Sequence, residues 1–296
     1  MRAIKKTVLI AGATGYLGRH LISAYHAAGY RVVALARRPE ALIGLDKHID
    51  EVVYGEATKP ETLGGVMKNV NLVVSALGIT RQKDGLSFAQ VDYQANRNLL
   101  DAALESGVAQ FLYVHVKNAE QMPGVEMAAA KARFAAELDA ADIHSTIVAP
   151  SGFFSDLVEV LDMARKGRVH LFGDGKALIS PIDGHDLAAA CVAASEEGTP
   201  RIEVGGPQTL SLNDIAEMAF AAIGKTPRVT HLPVTPFRAL FNAAKWLGLG
   251  QKIGALDFFA AASQLDMSAP ANGSRELSLF FASEAGFDAA QQASCP

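Results

Sequence analysis

Residues 12–18 read Gly-Ala-Thr-Gly-Tyr-Leu-Gly and follow the apolar run Val8-Leu9-Ile10-Ala11. Three glycines between a short buried strand and a helix opening at about Tyr16 suit a pyrophosphate site. Gly12 permits a sharp turn, Gly15 lets a phosphate approach the backbone, and Gly18 lets the helix pack closely on the strand. The helix N-terminus offers free N–H groups and a partial positive charge. Leu17, Leu21, Ile22 and Tyr25 then recur at helical spacing, so the run has the strand–turn–helix context the motif requires. An ordinary turn with no ligand is the plain alternative.

A dinucleotide site reads the adenosine ribose about 20 residues beyond the glycines, where a carboxylate binds a 2′-hydroxyl. This chain has Arg37-Arg38 there, after Val32–Ala36, and no carboxylate until Glu40. A guanidinium grips a 2′-phosphate through paired hydrogen bonds, which favours NADPH over NADH. A pair of solvated loop arginines is the alternative. His115 falls at the carboxyl end of an apolar strand, where open α/β sheets bind ligands. It titrates near neutrality and can donate a proton to a carbanion or enolate, or serve as a hydrogen-bonded core histidine. Lys131 follows Met127 by four and precedes Phe134 by three, so it borders the apolar stripe of Met127, Ala130, Phe134, Leu138 and Ala141. It either holds ribose hydroxyls or polarises a substrate oxygen, or it snorkels to solvent.

The elements that must position these residues alternate. Strand-like runs fall at 7–11, 31–36, 51–54, 70–76, 110–116 and 144–149, and helical patterns at 16–28, about 60–68, 86–106 and 126–141. Strands separated by helices predict a parallel sheet covered on both faces, an α/β Rossmann-type doubly wound fold. Val32-Val33-Ala34-Leu35 and Leu72-Val73-Val74 do not alternate with polar residues, as strands buried on both sides should not. After Pro150 the texture changes to short segments, with Pro181–Asp186 opening a helix and Ser211 capping another. His185 with Asp183 and Asp186 reads as helix capping.

The spacing is G-x-x-G-x-x-G, and with Thr14 inside it the GATGYLG run resembles the short-chain dehydrogenase/reductase superfamily in its extended or atypical form. The resemblance covers residues 5 to about 230. It implies a Rossmann domain at 1–150 and a smaller substrate-binding part at 151–296, interleaved with the sheet. It assigns Gly12, Thr14, Gly15, Tyr16, Leu17 and Gly18 to the cofactor turn and Glu56 to the adenine. It places Ser75-Ala76-Leu77-Gly78 along the adenine ribose, and Pro150, Gly152 and Phe153 near the nicotinamide. Phe153 and Phe154 read equally well as core residues.

Typical members work with Ser, Tyr and Lys, the last two as Tyr-x-x-x-Lys. Here that stretch is Met127-Ala-Ala-Ala-Lys131, and His115 stands where the serine should be. Lysine without tyrosine resembles the atypical members: isoflavone-reductase-like, divinyl-reductase-like and NmrA-like proteins. So do Val91–Leu100, Ala130–Leu138, Thr146–Pro150 with Gly152-Phe153-Phe154, and Phe172–Lys176. The resemblance therefore implies an NADPH-dependent reductase acting on a hydrophobic carbonyl or conjugated C=C. Its rival is an NmrA-like redox sensor or assembly factor that binds NADPH without turning it over. An epimerase or dehydratase is a third reading, which the missing Tyr-x-x-x-Lys opposes.

Half of the 296 residues are hydrophobic and a fifth charged, which is globular. With 27 basic and 31 acidic residues there is no broad footprint for nucleic acid. Cys191 and Cys295 lie far apart, and scattered histidines make no metal site. The run after Met1 is too short for a signal peptide and leads into the glycine turn, and no apolar stretch reaches membrane-spanning length. A cytoplasmic protein, monomer or homodimer, is expected. Phe237, Leu240, Phe241, Ala244 and Leu247 line one face of a helix in the apolar segment 236–259. That segment reads as a helix packed over the substrate cleft, or as a lid or peripheral membrane contact.

Overall fold

The computed structural model describes residues 5–79 and 85–293. The chain forms two compact units, one of Met1–Ala149 with Leu187–Ile202 and one of Pro150–Asp186 with Glu203–Pro296. The texture change at Pro150 gives no sign that 187–202 returns to the first unit.

In the first unit, strand β1 (Thr7–Ala11) leads through the glycine turn into helix α1 (Tyr16–Ala27). Then come β2 (Arg31–Ala36), β3 (Glu51–Tyr54), β4 (Leu72–Ser75), α2 (Asn96–Glu105), β5 (Gln110–Val114), α3 (Glu126–Asp139) and β6 (His144–Pro150). With β9 (Arg201–Val204) these strands make a seven-stranded sheet of order β3-β2-β1-β4-β5-β6-β9. The neighbours from β3 to β6 pair in parallel. Every residue of β1 and β4 is buried, because helices cover both faces and no strand face reaches water. Leu99, Leu100, Ala103, Phe134 and Leu138 from α2 and α3 pack on one side. On α1, Leu17, Leu21, Ile22 and Tyr25 are buried, and the Tyr25 hydroxyl lies 3.2 Å from Ser195 Oγ. The order reverses between β1 and β4, which opens a crevice at their carboxyl ends.

Two expected helices change character. The stretch 60–68 holds only a 3₁₀ turn, Pro60–Thr62. Gly64-Gly65 breaks the helical run, and Gly65 takes φ +78°. The stretch 86–106 splits into a π-helical turn, Ala89–Ala95, followed by α2. A π-turn of this kind often marks a site.

The second unit holds α4 (Val158–Arg165), β7 (Val169–Phe172), β8 (Leu178–Ile179), the start of α5 (Gly184–Glu197), β10 (Leu210–Ser211), α6 (Leu212–Ala222) and β11 (Val229–Leu232). Helices α7 (Val234–Trp246), α8 (Gly250–Ala262) and α9 (Leu277–Ala293) follow. Phe154, Leu161, Phe220 and Phe281 form its core, so Phe154 is a packing residue. The Asp183 carboxylate accepts the His185 N–H at 2.9 Å, a helix-start contact. In the 236–259 segment Phe237 and Phe241 pack on Phe172, while Leu240, Trp246, Leu247 and Leu256 stand exposed. Among the described residues no helix is long and apolar enough to cross a membrane.

Candidate nucleotide-binding site

The β1–α1 turn closes as a Gly15 N–H to Gly12 carbonyl hydrogen bond of 2.9 Å, with Gly12 at φ +83°. A Cβ on Gly12 would stand 2.9 Å from the Ala76 carbonyl oxygen, and one on Gly18 would stand 2.1 Å from the Gly12 oxygen. Both positions must be glycine because backbone, which cannot yield, fills the space. The N-cap of α1 is Gly15, which has no side chain to cap the helix, and the first turn carries no acid. That helix end can therefore receive an anion.

Around it lies a cleft of about 340 Å³ at the reversal point of the sheet. Gly12, Thr14 and Gly15 form one wall, Arg37, Arg38 and Glu56 a second, and Ala76, Leu77 and Gly78 a third. Arg37 and Arg38 are exposed at the rim. Glu56 would oppose an anion, but its carboxylate is 2.9 Å from Lys59 Nζ, whose hydrogen bond holds its pKa below the usual range. The Thr58 hydroxyl donates to Glu56 at 3.0 Å. The glycine cradle, an uncapped helix end and two guanidiniums fit a phosphorylated dinucleotide.

Other expected residues are not among those lining this cleft. Tyr16, Leu17 and Gly18 do not line the cleft: Leu17 is core, and Gly18 serves the turn from behind. Ser75 is fully buried, and its hydroxyl donates to Asn96 Oδ1. Pro150, Gly152 and Phe153 belong to the second unit, where Phe153 bridges to Ile182 and a Cβ on Gly152 would meet Ile179.

Lys131 lies behind the third wall. A Cβ on Gly78 would stand 3.0 Å from Lys131 Nζ. The ammonium is 3.3 Å from Asp92 Oδ1 and 5.4 Å from the centre of the Tyr113 ring. Its side chain is 12% exposed, so the snorkelling alternative does not describe it. Burial disfavours its charge, but the Tyr113 oxygen and the Asp92 carboxylate outweigh that and leave the pKa above its ordinary value. Burial pushes the Tyr113 phenol up to about 12, so it stays protonated.

His115 is almost wholly buried, with Nε2 3.4 Å from Glu120 Oε1 and no partner for Nδ1. Burial, with the nearby Lys131 charge, lowers its pKa to about 4. The ring is therefore neutral at pH 7.

Asp92 was not anticipated, nor was the role of Tyr113. The signal for Asp92 was present: Asp92, Asn96, Leu99 and Ala103 follow one another at helical spacing, which puts a carboxylate on the stripe that packs inward.

Comparison with known proteins agrees with this geometry. The chain is 29% identical over 266 residues to the chloroplastic divinyl chlorophyllide a 8-vinyl-reductase of Zea mays, covering 83% of this chain and 65% of that protein. It thus spans less than two thirds of that relative's length. It is 25% identical over 233 residues to the photosystem II assembly factor Ycf39 of Guillardia theta, covering 77% of this chain and 74% of that one. Its fold matches a dTDP-glucose 4,6-dehydratase from Streptomyces venezuelae, solved with NAD bound, at TM-score 0.64, 18% identity and coverage of 76% and 84%. Residues 4–277 match the NmrA-like family, and with the glycine turn and tyrosine-free lysine helix in place, the chain belongs to that family.

Proposed function

We propose that this protein is an NADPH-dependent oxidoreductase that reduces a small hydrophobic substrate at a carbonyl or conjugated C=C. The observation that carries the reading is the presence of Arg37 and Arg38 on the same cleft as the Gly12–Gly15 turn. In this reading the turn binds the pyrophosphate, and the two guanidiniums take the 2′-phosphate. The Ala76–Gly78 wall flanks the ribose, and Lys131 holds ribose hydroxyls or polarises the acceptor oxygen. Bound NADPH would supply the hydride. The Zea mays relative is named a vinyl-reductase, so a conjugated vinyl group is the first acceptor to try. Cys191, a buried free thiol, is compatible with a reducing compartment, the cytoplasm, as its place of action.

Titration with NADPH and NADH, followed by nicotinamide fluorescence, tests the first step. Saturable binding with NADPH favoured about tenfold or more is expected, and absence of NADPH binding defeats the proposal.

A second reading is a protein that binds NADPH without turnover. Met127 in place of the tyrosine, the neutral His115 and the likeness to Ycf39 favour it. Deuterium transfer from 4-deuterated NADPH to any acceptor decides for the enzyme. Tight binding with no transfer to carbonyl or vinyl acceptors decides for the binding protein.

A further inference from the structure

Asp92 is fully buried on the π-helical turn, and its carboxylate joins three elements. Oδ1 faces Lys131 Nζ of α3 at 3.3 Å, and Oδ2 accepts the Ile79 N–H at 3.2 Å. Gly78 lies between the pair and the cleft, and a Cβ there would stand 2.9 Å from Asp92 Oδ1. One turn on, Asn96 Nδ2 donates to the Asp92 carbonyl at 3.0 Å and its Oδ1 accepts the Ser75 hydroxyl, which pins the turn to β4.

We infer that Asp92 is the positioning residue of this site, fixing the Lys131 ammonium behind the Ala76–Ile79 wall through a contact that the bare backbone of Gly78 makes possible. The inference rests on the reading of Lys131 as the group that serves the bound nucleotide. A lysine carries four rotatable carbons and loses its charge readily when buried. A carboxylate that is itself hydrogen-bonded to the wall selects one direction for the chain and keeps the ammonium charged. Among the described residues, the titratable groups facing Lys131 are Asp92 on the turn, Tyr113 on β5 and His115 just beyond its end. Tyr113 is a protonated phenol and His115 a neutral ring at pH 7, so Asp92 is the one carboxylate among them; burial raises its pKa, and the Lys131 charge and the Ile79 N–H act against that rise.

The test compares nucleotide-free wild type, D92N, K131M and D92N/K131M by urea denaturation from pH 7 to 9.5. In D92N the buried ammonium has no counter-ion, and its native pKa falls below the ~10.4 of an unfolded lysine. The unfolded chain then binds more protons than the native one, so stability rises with pH. The unfolding constant of D92N is expected to fall by up to about tenfold per pH unit relative to D92N/K131M, with no such fall in wild type. NADPH affinity supplies the second readout. D92N should lose at least about fivefold more affinity than wild type between pH 7 and 9, and its loss should not add to that of K131M. Parallel pH slopes in D92N and the double variant, or additive losses, overturn the inference. If D92N does not fold, G78A crowds the same pair; its loss of affinity should vanish in a K131M background, and persistence there overturns the inference. Absence of NADPH binding by wild type defeats the proposed function instead, and the denaturation slopes still decide whether Asp92 holds Lys131.

Discussion

Helices α1 and α6 each follow a short strand, α1 through the glycine turn and α6 directly, and their first turns are finished in opposite ways. In α6 the Ser211 hydroxyl accepts the Asp214 N–H at 3.1 Å while the Asp214 carboxylate accepts the Ser211 N–H at 2.8 Å. In α1 the cap is Gly15, with no side chain to offer and no acid in the turn. The first arrangement satisfies the helix end from within and stabilises the fold by about 1 kcal/mol. The second leaves the partial positive charge for something from outside. The same contrast runs through the two units. In the first unit His26 Nδ1, His48 Nδ1, Asp92 Oδ1, Tyr113 Oη and His115 Nδ1 are buried without a hydrogen-bond partner, whereas in the second unit the one such atom among the described residues is Gln208 Oε1. Unsatisfied buried polar groups are costly, so each calls for a physical reason.

The sharpest way to break this contrast is to close the α1 turn sterically. Gly18→Val places a Cβ 2.1 Å from the Gly12 oxygen. NADPH affinity should fall at least about a hundredfold, with a lowered denaturation midpoint. Retained affinity in calorimetric titration would show that the turn is not the pyrophosphate site.

A second effect comes from His115. Its folded pKa of about 4 lies below the ~6.5 of the unfolded chain. The unfolded chain therefore holds the extra proton between these values. The stabilisation is fully present above pH ~6.5 and disappears as pH falls toward 4, by up to about 3 kcal/mol. Urea denaturation at pH 7.5 and 5 should show a steeper loss in wild type than in His115→Gln, and equal slopes would mean the ring is not buried neutral.

Replacing Arg37 and Arg38 together with alanine should weaken NADPH about tenfold or more and leave NADH unchanged. Equal losses for both nucleotides would sink the assignment of the 2′-phosphate. The smallest effect belongs to the closed helix end. Ser211→Ala should cost about 1 kcal/mol of stability and leave NADPH affinity unaltered. A change in affinity there would erase the distinction between the two helix starts.

Much of the fold was legible because a parallel sheet covered on both faces needs unbroken apolar runs, and Val8–Ala11, Val32–Leu35 and Leu72–Val74 are such runs. The glycine turn was legible because each glycine answers a local steric demand. The stretch 60–68 was misread, since helical spacing of apolar residues carries over a Gly-Gly break that the backbone does not tolerate as helix. Leu17 and Ser75 were assigned to the cofactor by resemblance, and burial of the Leu17 side chain and the Ser75 hydroxyl's bond to Asn96 leave only their backbone for that role.

The sequence by itself determined the α/β alternation, the glycine turn and the arginine pair beyond it, all of which depend on residues within a few positions of one another. Only the tertiary structure decided what the titratable groups are. Asp92, Tyr113, His115 and Lys131 come from a π-turn, one strand and another helix. Their charge states follow from mutual burial and distance, because desolvation and Coulomb energy depend on three-dimensional proximity that no local spacing encodes. Burial and the Lys131 charge make His115 a neutral ring, and Asp92 with Tyr113 keeps Lys131 charged 3.0 Å behind where a Gly78 side chain would begin.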